Sequence, residues 1–267
     1  MLVLAALLLA VPRAFGAGFD HSLWERVLQA YVNPIGEVDY AALQARRQDL
    51  DAYVRLLGEA SPANRPRMFP ARADEMAYWI NAYNAFVMRG VADHYPTRSV
   101  RDLGALYGFF RRKDYTAGGE RMSLQYLENE ILRKKYAEPR IHFAIVCASV
   151  SCPMLARDAF TAENLEALLD RQARAFVGQR RNVYVDAAAN EITLSEIFKW
   201  YKDDFEKTGQ SVLRYIRRYA SAEEGRALDG LRQPKIKYFE YDWSINAPGS
   251  RARAKSAFER ELAEPRN

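Results

Sequence analysis

The sequence predicts an α+β fold: a single domain, mostly helical, with a small and largely antiparallel sheet. Segments such as 40–57 and 76–88 are long enough for helices, whereas 183–186 and 191–194 alternate like strands and lie close enough for a hairpin. Helices precede and separate these strands, which differs from the regular alternation of a doubly wound fold. With 267 residues, 49% of them apolar and 27% charged, the chain has globular composition and can bury a substantial core.

The N-terminal half is predicted to be helical around one fully buried segment. From 76 to 88 every residue is apolar or aromatic except Asn81 and Asn84, so this helix is expected to be buried on all sides. The stretch 97–122 is expected to be mostly loop, with a turn at its double glycine. Helices in this half are expected over 22–32, 40–57, 76–88 and 124–136, with a turn or short strand at 36–40.

The segment 141–153, IHFAIVCASVSCP, holds both cysteines and one of the three histidines. Its β-forming residues lie between two prolines and predict a central strand over 141–147, buried on both faces. The small residues that follow would let a ligand approach the backbone. Downstream we expect a helix over 161–178, the hairpin 183–186 and 191–194, helices over 196–209 and up to 220, and a half-solvated strand over 235–243.

The N-terminus resembles an export signal. Its apolar run, residues 2–11, is too short to span a bilayer and is followed by Ala14-Phe15-Gly16, which fits the small-x-small rule for cleavage. We therefore predict a signal peptide over 1–16, a domain over 17–247, a charged tail over 248–267, and a periplasmic or secreted protein with no stable membrane span after cleavage. No Lys or Arg precedes the apolar run, so an uncleaved anchor is the alternative.

The charge balance is modest, with a formal net charge of +5. Basic clusters such as 111–113 and 133–135 mix with acidic residues or fall at helix ends, as solvated faces do. No DNA- or RNA-binding motif accompanies them, so no nucleic-acid partner is predicted. No cofactor is predicted either.

Asn81 and Asn84 lie one helical turn apart on an otherwise apolar helix. A buried amide without partners costs a few kcal/mol, so each must be satisfied by backbone, water or a ligand. These two residues are candidates for ligand binding, with bracing of a neighbouring loop as the alternative.

Glu128 is expected on the apolar face of its helix, between Leu124 and Ile131. A carboxylate in such surroundings suits a general acid or base. A buried ion pair with an arginine such as Arg140 is the competing interpretation.

Cys147 is the candidate nucleophile, with hydroxyls at Ser149 and Ser151 beside it and the following amides as oxyanion donors. On an extended strand His142 and Cys147 point to opposite faces, so a bulge would be needed to pair them. No histidine follows Cys147; its base would otherwise be His21, His94 or a carboxylate such as Glu128.

Three alternatives for these cysteines stay open. In an oxidising compartment a Cys147–Cys152 disulfide would close a small loop. Cys147 could also be an inert buried thiol. His142, Cys147 and Cys152 could together hold a metal, although their spacing matches no standard zinc knuckle and no metal is predicted.

The last candidate ligand-binding residues are polar residues in the C-terminal third of the chain. Lys199 and Asp203 can pair at i,i+4 on the helix surface, and Asp204 follows them. Asp242 ends the last predicted strand, where aspartate is common as a turn residue. Lys199, Asp204 and Asp242 are candidates for ligand binding.

Four separated motifs resemble the domain of unknown function 547 family: YWINAYNA at 78–85, IHFAIVCASVSCP at 141–153, LSEIFKWY at 194–201 with DF at 204–205, and YDWSIN at 241–246. The resemblance covers roughly residues 35–247. It supplies no reaction to transfer, although many bacterial members look exported. It implies a shared core that contains Asn81, Asn84, Glu128, His142, Cys147, Ser151, Lys199, Asp204 and Asp242.

The sequence therefore predicts a pocket at the C-terminal end of the 141–147 strand, roofed by the helix of Asn81 and Asn84. We expect a thiol-dependent hydrolase or acyl transferase with Cys147 as nucleophile and Glu128 or a histidine such as His142 as base. The alternative is a non-catalytic envelope module that binds a small molecule or peptide and is stapled by a Cys147–Cys152 disulfide. Metal-dependent hydrolysis is a third hypothesis.

Overall fold

A computed structural model describes residues 18–207 and 209–263; the predicted signal peptide lies outside these residues. The α+β class is confirmed, since helices dominate and two small sheets accompany them. The α-helices are Ser22–Tyr31, Tyr40–Ala45, Gln48–Glu59, Arg72–Asp93, Gly108–Arg111, Leu124–Tyr126, Lys134–Tyr136, Ile141–Ala144, Leu165–Val177, Glu196–Trp200, Lys202–Glu206, Val212–Tyr219, Ala222–Gly230 and Ser250–Ala263. Short 3₁₀ turns are Pro66–Met68, Val100–Asp102 and Ala105–Tyr107, and a π-helical segment is Leu127–Arg133.

The strands form a two-stranded hairpin and a three-stranded sheet. Strands β1 (Tyr115–Ala117) and β2 (Glu120–Met122) pair antiparallel. Strands β3 (Val183–Asp186) and β4 (Glu191–Leu194) form the predicted hairpin, and β5 (Lys235–Tyr238) adds to β4 in parallel. The sheets are therefore largely antiparallel, as the alternating segments predict.

The β1–β2 hairpin was not predicted as strands, although its turn was. Gly118 and Gly119 both have positive φ, of 57° and 87°, which a tight two-residue hairpin turn requires. A Cβ on Gly118 would also clash with Ser61 Oγ. The strands have only three residues each, too few for a visible alternation.

The helix Arg72–Asp93 is the centre of the larger hydrophobic cluster. Every side chain from 76 to 88 is buried, as predicted. A smaller cluster gathers around Phe143, Phe176, Phe198 and Phe205. Both clusters contain aromatic rings in mutual contact, which gives large buried area per residue.

The predicted central strand over 141–147 is wrong. Ile141–Ala144 is one helical turn, and the chain becomes extended only at Ile145. The Glu138 carboxylate accepts the Arg140 backbone N–H at 3.0 Å, which favours a turn at this point. A short apolar run between prolines is buried in either conformation, so its hydrophobicity does not distinguish strand from helix.

The C-terminal tail is attached to the domain at its beginning. In the first turn of the helix Ser250–Ala263, Arg251 is only 6% exposed and donates from Nη2 to the carbonyl oxygens of Cys152 and Pro153 at 3.1 and 3.0 Å. Among the described residues, no helix combines the length and apolar character that a membrane crossing needs.

Candidate functional site

A pocket of about 380 Å³ opens where the two hydrophobic clusters meet, with Tyr83 and Ile145 from the larger cluster and Ile197 from the smaller. Seven of its 17 lining residues carry a Phe, Tyr or Trp ring. The rings are those of Tyr83, Tyr107, Phe110, Trp200, Tyr201, Tyr241 and Trp243. Glu128, His142 and both cysteines also line it. The volume lies at the lower end of the range for small-molecule sites.

The cysteines are joined in a Cys147–Cys152 disulfide at the pocket wall. The Tyr241 hydroxyl donates to Cys152 Sγ at 3.2 Å, and the Cys147 backbone N–H donates to the same sulfur at 2.9 Å. Burial raises the pKa of Tyr241 above its usual range, so the hydroxyl keeps its proton. Ser149 Oγ lies 2.8 Å from Cys147 Sγ. The bridge leaves no free thiol at this wall.

Glu128 lies in the π-helical segment and faces the pocket. Its Oε1 accepts the Tyr201 hydroxyl at 2.6 Å, and its Oε2 accepts the Tyr83 hydroxyl at 3.2 Å. Burial, reinforced by the charge of Glu128, raises the pKa of both tyrosines well above the usual value, so both hydroxyls act as donors. π-helical turns occur frequently at functional sites.

The alternative partner for this carboxylate, Arg140, is engaged elsewhere. Its guanidinium pairs with Glu138, Glu166 and Asp170 at 2.7 to 2.8 Å. The competing interpretation, an ion pair between Glu128 and an arginine such as Arg140, is therefore wrong for Arg140. This arginine pairs instead with Glu138 and with the two acidic residues of the helix Leu165–Val177.

His142 lines the same pocket as Glu128, and contacts with Asp204 and Tyr201 hold its ring in place. Its Nε2 lies 2.9 Å from Asp204 Oδ2, and its ring stacks on Tyr201 with centroids 3.8 Å apart. Burial lowers the pKa of His142 although Asp204 opposes the shift, so the neutral ring donates from Nε2 and keeps Nδ1 as its acceptor.

Asp204 collects three donors. Besides His142, it accepts Arg133 Nε and Lys207 Nζ, each at 2.6 Å. Burial raises the pKa of this carboxyl, but the hydrogen bonds from His142, Arg133 and Lys207 outweigh it and hold the pKa below its usual value. Asp204 therefore stays ionised and supports His142 from outside the pocket.

Asn81 and Asn84 brace neighbouring backbone. Asn81 exchanges two hydrogen bonds with the Phe160 backbone, at 2.7 and 3.0 Å. Asn84 donates to the Ala144 carbonyl at 3.0 Å and accepts the Val146 N–H at 2.9 Å. The residue that this helix contributes to the pocket is Tyr83.

The remaining candidates lie outside the pocket. Ser151 Oγ accepts the Asp242 backbone N–H at 2.9 Å, and Asp242 Oδ1 accepts the Ser244 N–H at 2.9 Å, as a turn residue does. Lys199 pairs with Glu196 at 3.2 Å instead of with Asp203. The structure thus brings Glu128, His142 and Cys147 to one pocket. Among the described residues, the pocket lining does not include Asn81, Asn84, Ser151, Lys199, Asp204 or Asp242.

The other two histidines lie away from the pocket. His21 Nδ1 lies 2.7 Å from the Tyr53 hydroxyl, and His94 Nδ1 lies 2.8 Å from the Gly90 carbonyl. Within the described parts of the chain, no group of three or more His, Cys, Asp or Glu side chains has an arrangement that could hold a metal ion.

Sequence reasoning missed the tyrosines that complete the site. Tyr83, Tyr201 and Tyr241 all belong to the motifs that carry the family resemblance. Their position inside those motifs was the available signal. Their roles depend on contacts with Glu128 and Cys152 that no local pattern reveals.

Comparison with known proteins gives one match. Residues 67–177 match the model of the family described as protein of unknown function, DUF547. The predicted resemblance to this family is thus confirmed over residues 67–177. The matched DUF547 segment contains the helix Arg72–Asp93, the turn of Glu128 and the disulfide, whereas Trp200, Tyr201, Tyr241 and Trp243 lie beyond it. No curated protein and no solved structure matches the chain.

Proposed function

We propose that this DUF547 protein is a non-catalytic binding module of the cell envelope, which takes a small molecule or peptide into the aromatic pocket. The observation that carries the proposal is the Cys147–Cys152 bridge in the pocket wall. A bridged cysteine has no thiolate to attack a substrate. The walls around it are aromatic and concave, as in ligand sites.

Export of the protein belongs to the same proposal. Disulfides persist in oxidising compartments such as the periplasm and the extracellular space. A bridge between the only two cysteines of the chain therefore supports the periplasmic or secreted location that the N-terminal segment predicts.

The double variant Cys147→Ala/Cys152→Ala tests the role of the bridge. We would screen a soluble set of amines, alcohols, sugars and dipeptides by ligand-observed NMR, and count as pocket ligands only those lost in Trp200→Ala. Trp200 lines the pocket and is 44% exposed, so its truncation spares the core. The proposal predicts a less stable double variant that retains affinity per folded molecule. An absence of any ligand that responds to Trp200→Ala would contradict it.

A thiol-dependent hydrolase or acyl transferase is the second candidate. One observation favours it: because 141–144 is helical, His142 and Cys147 line the same pocket instead of facing apart. After the bridge is reduced by an added thiol, Nδ1 of His142 would take the proton of the Cys147 thiol, and the thiolate would attack an acyl carbonyl. The tetrahedral adduct would collapse to a thioester and expel an alcohol or amine, which takes that proton back from His142. Water would then release the acid and restore the thiol.

Ester hydrolysis with and without reductant separates the two candidates. A hydrolase gains activity towards p-nitrophenyl acetate when the bridge is reduced and loses that gain in Cys147→Ala with the fold intact. If the protein is a binding module, reductant produces no esterase activity that depends on Cys147.

A further inference from the structure

Glu128 is a carboxylate inside the pocket without a cationic partner. Both of its oxygens accept tyrosine hydroxyls. Among the described residues, no Lys, Arg or His nitrogen lies within 4.0 Å of it, whereas Asp204 nearby is paired with Arg133, His142 and Lys207. Hydroxyl donors stabilise the negative charge but do not neutralise it. The pocket therefore has a negative group available to a ligand.

Aromatic rings line the same pocket as this carboxylate. Trp200, Tyr241 and Trp243 form a contiguous group, with ring centroids 4.7 Å apart for Trp200–Tyr241 and 4.6 Å apart for Tyr241–Trp243. Tyr107 extends the group, with its centroid 5.9 Å from that of Trp243. The Arg101 guanidinium lies over this end of the group, 5.9 Å from the centroids of both Tyr107 and Trp243. The faces of such rings attract cations, and clusters of them recognise alkylammonium groups.

The other charged groups that line the pocket do not neutralise Glu128. His142 is neutral, because burial lowers its pKa. Arg111 is an exposed residue, so water and salt screen its charge. A ligand that enters the pocket therefore meets the Glu128 carboxylate among aromatic rings.

We propose that the pocket recognises an organic ammonium group, with Glu128 as its counter-ion and the rings of Trp200, Tyr241 and Trp243 as its walls. This inference rests on the proposed binding function and names its ligand class. A pocket of about 380 Å³ accommodates a small amine or the end of one basic side chain of a peptide. Charge complementarity at Glu128 distinguishes such a ligand from a neutral one of the same shape.

The test compares two probes that differ only in charge: choline and its neutral isostere 3,3-dimethyl-1-butanol. Binding to the mature protein is measured by titration calorimetry or NMR. We expect choline to bind at least about tenfold more tightly, a difference of about 1.4 kcal/mol. Glu128→Gln keeps the shape and one of the two oxygens that accept the tyrosine hydroxyls, and it should remove this preference.

Glu130→Gln is the matched control. Glu130 is two residues away, pairs with Lys134 and is 43% exposed, so the substitution changes net charge equally without changing the pocket. It should leave the preference for choline intact. Trp200→Leu keeps an apolar wall without an indole face and should weaken choline binding more than binding of the neutral alcohol.

The outcomes separate this inference from the proposal on which it rests. The ammonium inference is overturned if choline does not bind or if the two probes bind equally tightly. It is also overturned if Glu128→Gln and Glu130→Gln reduce the preference for choline equally. If Trp200-dependent ligands still appear among neutral compounds, the binding function survives. If no compound depends on Trp200, both fail.

Discussion

His142 Nε2 lies 2.9 Å from Oδ2 of Asp204, and the same carboxylate oxygen accepts Arg133 Nε at 2.6 Å. One carboxylate therefore joins three segments: the helix Ile141–Ala144, the helix Lys202–Glu206 and the π-helical segment that also carries Glu128. These hydrogen bonds hold together the segments that place His142 and Glu128 in the pocket. They make Asp204 a structural support of the site.

Asp204→Asn should lower the free energy of unfolding by about 2–3 kcal/mol. The substitution leaves the partly buried Arg133 without its counter-charge, and the loss of one partner of such a pair is costly. Urea denaturation measures the change. Asp203→Asn is the control, because Asp203 is the exposed neighbour on the same helix and its substitution should cost no more than about 0.5 kcal/mol. Equal costs for the two variants would refute the supporting role of Asp204.

Asn84→Ala should destabilise the protein by about 2–4 kcal/mol. It leaves the Ala144 carbonyl and the Val146 N–H without partners, and each unsatisfied buried group costs about 1–3 kcal/mol. Chemical denaturation gives the stability, and Trp200-dependent binding per folded molecule should not change. A stable variant that has lost this binding would make Asn84 a ligand-binding residue, as the sequence suggested.

His21 should make the protein sensitive to moderate acid. Burial lowers its pKa to about 4 in the folded protein, from 6.5 in a model peptide, while Tyr53 and Asn81 both donate to its Nδ1. Protonation therefore favours the unfolded chain. This contribution to stability is complete above the unfolded pKa and is lost as the pH falls from about 6.5 towards 4, by at most about 3 kcal/mol.

His21→Gln tests this pH dependence. The variant should be less stable at neutral pH, because the imidazole contacts are gone, but its stability should fall less than that of the wild type between about pH 6.5 and 4. Urea midpoints at several pH values measure both effects. Parallel pH profiles of the two proteins would show that His21 does not contribute.

The sequence predicted the parts of the site that depend on local patterns. The apolar surroundings of Asn81 and Asn84 indicated full burial, and the i,i+3 and i,i+4 neighbours of Glu128 placed it on an apolar face. The close spacing of Cys147 and Cys152 made a bridge one of the open alternatives, and the structure contains it. Each of these features is set within a few residues of chain.

The parts that were missed depend on contacts distant in sequence. Tyr201 meets Glu128 from 73 residues away, and Tyr241 meets Cys152 from 89 residues away. Hydrophobic periodicity reports which face of an element is buried, but not which element covers it. The helical turn after Pro139 was missed for a different, local reason: a short apolar run indicates burial but does not distinguish a strand from a helix.

Alkylation of the mature, unreduced protein followed by intact-mass analysis tests the central claim most directly. The protein is treated with iodoacetamide between about pH 5 and 9, with and without reductant. We expect no label on either cysteine until reductant is added, because Cys147 and Cys152 are bridged in the pocket wall. Rapid labelling of Cys147 without reductant, well below a free thiol pKa of about 8.5, would reveal an activated thiolate and contradict the binding-module account.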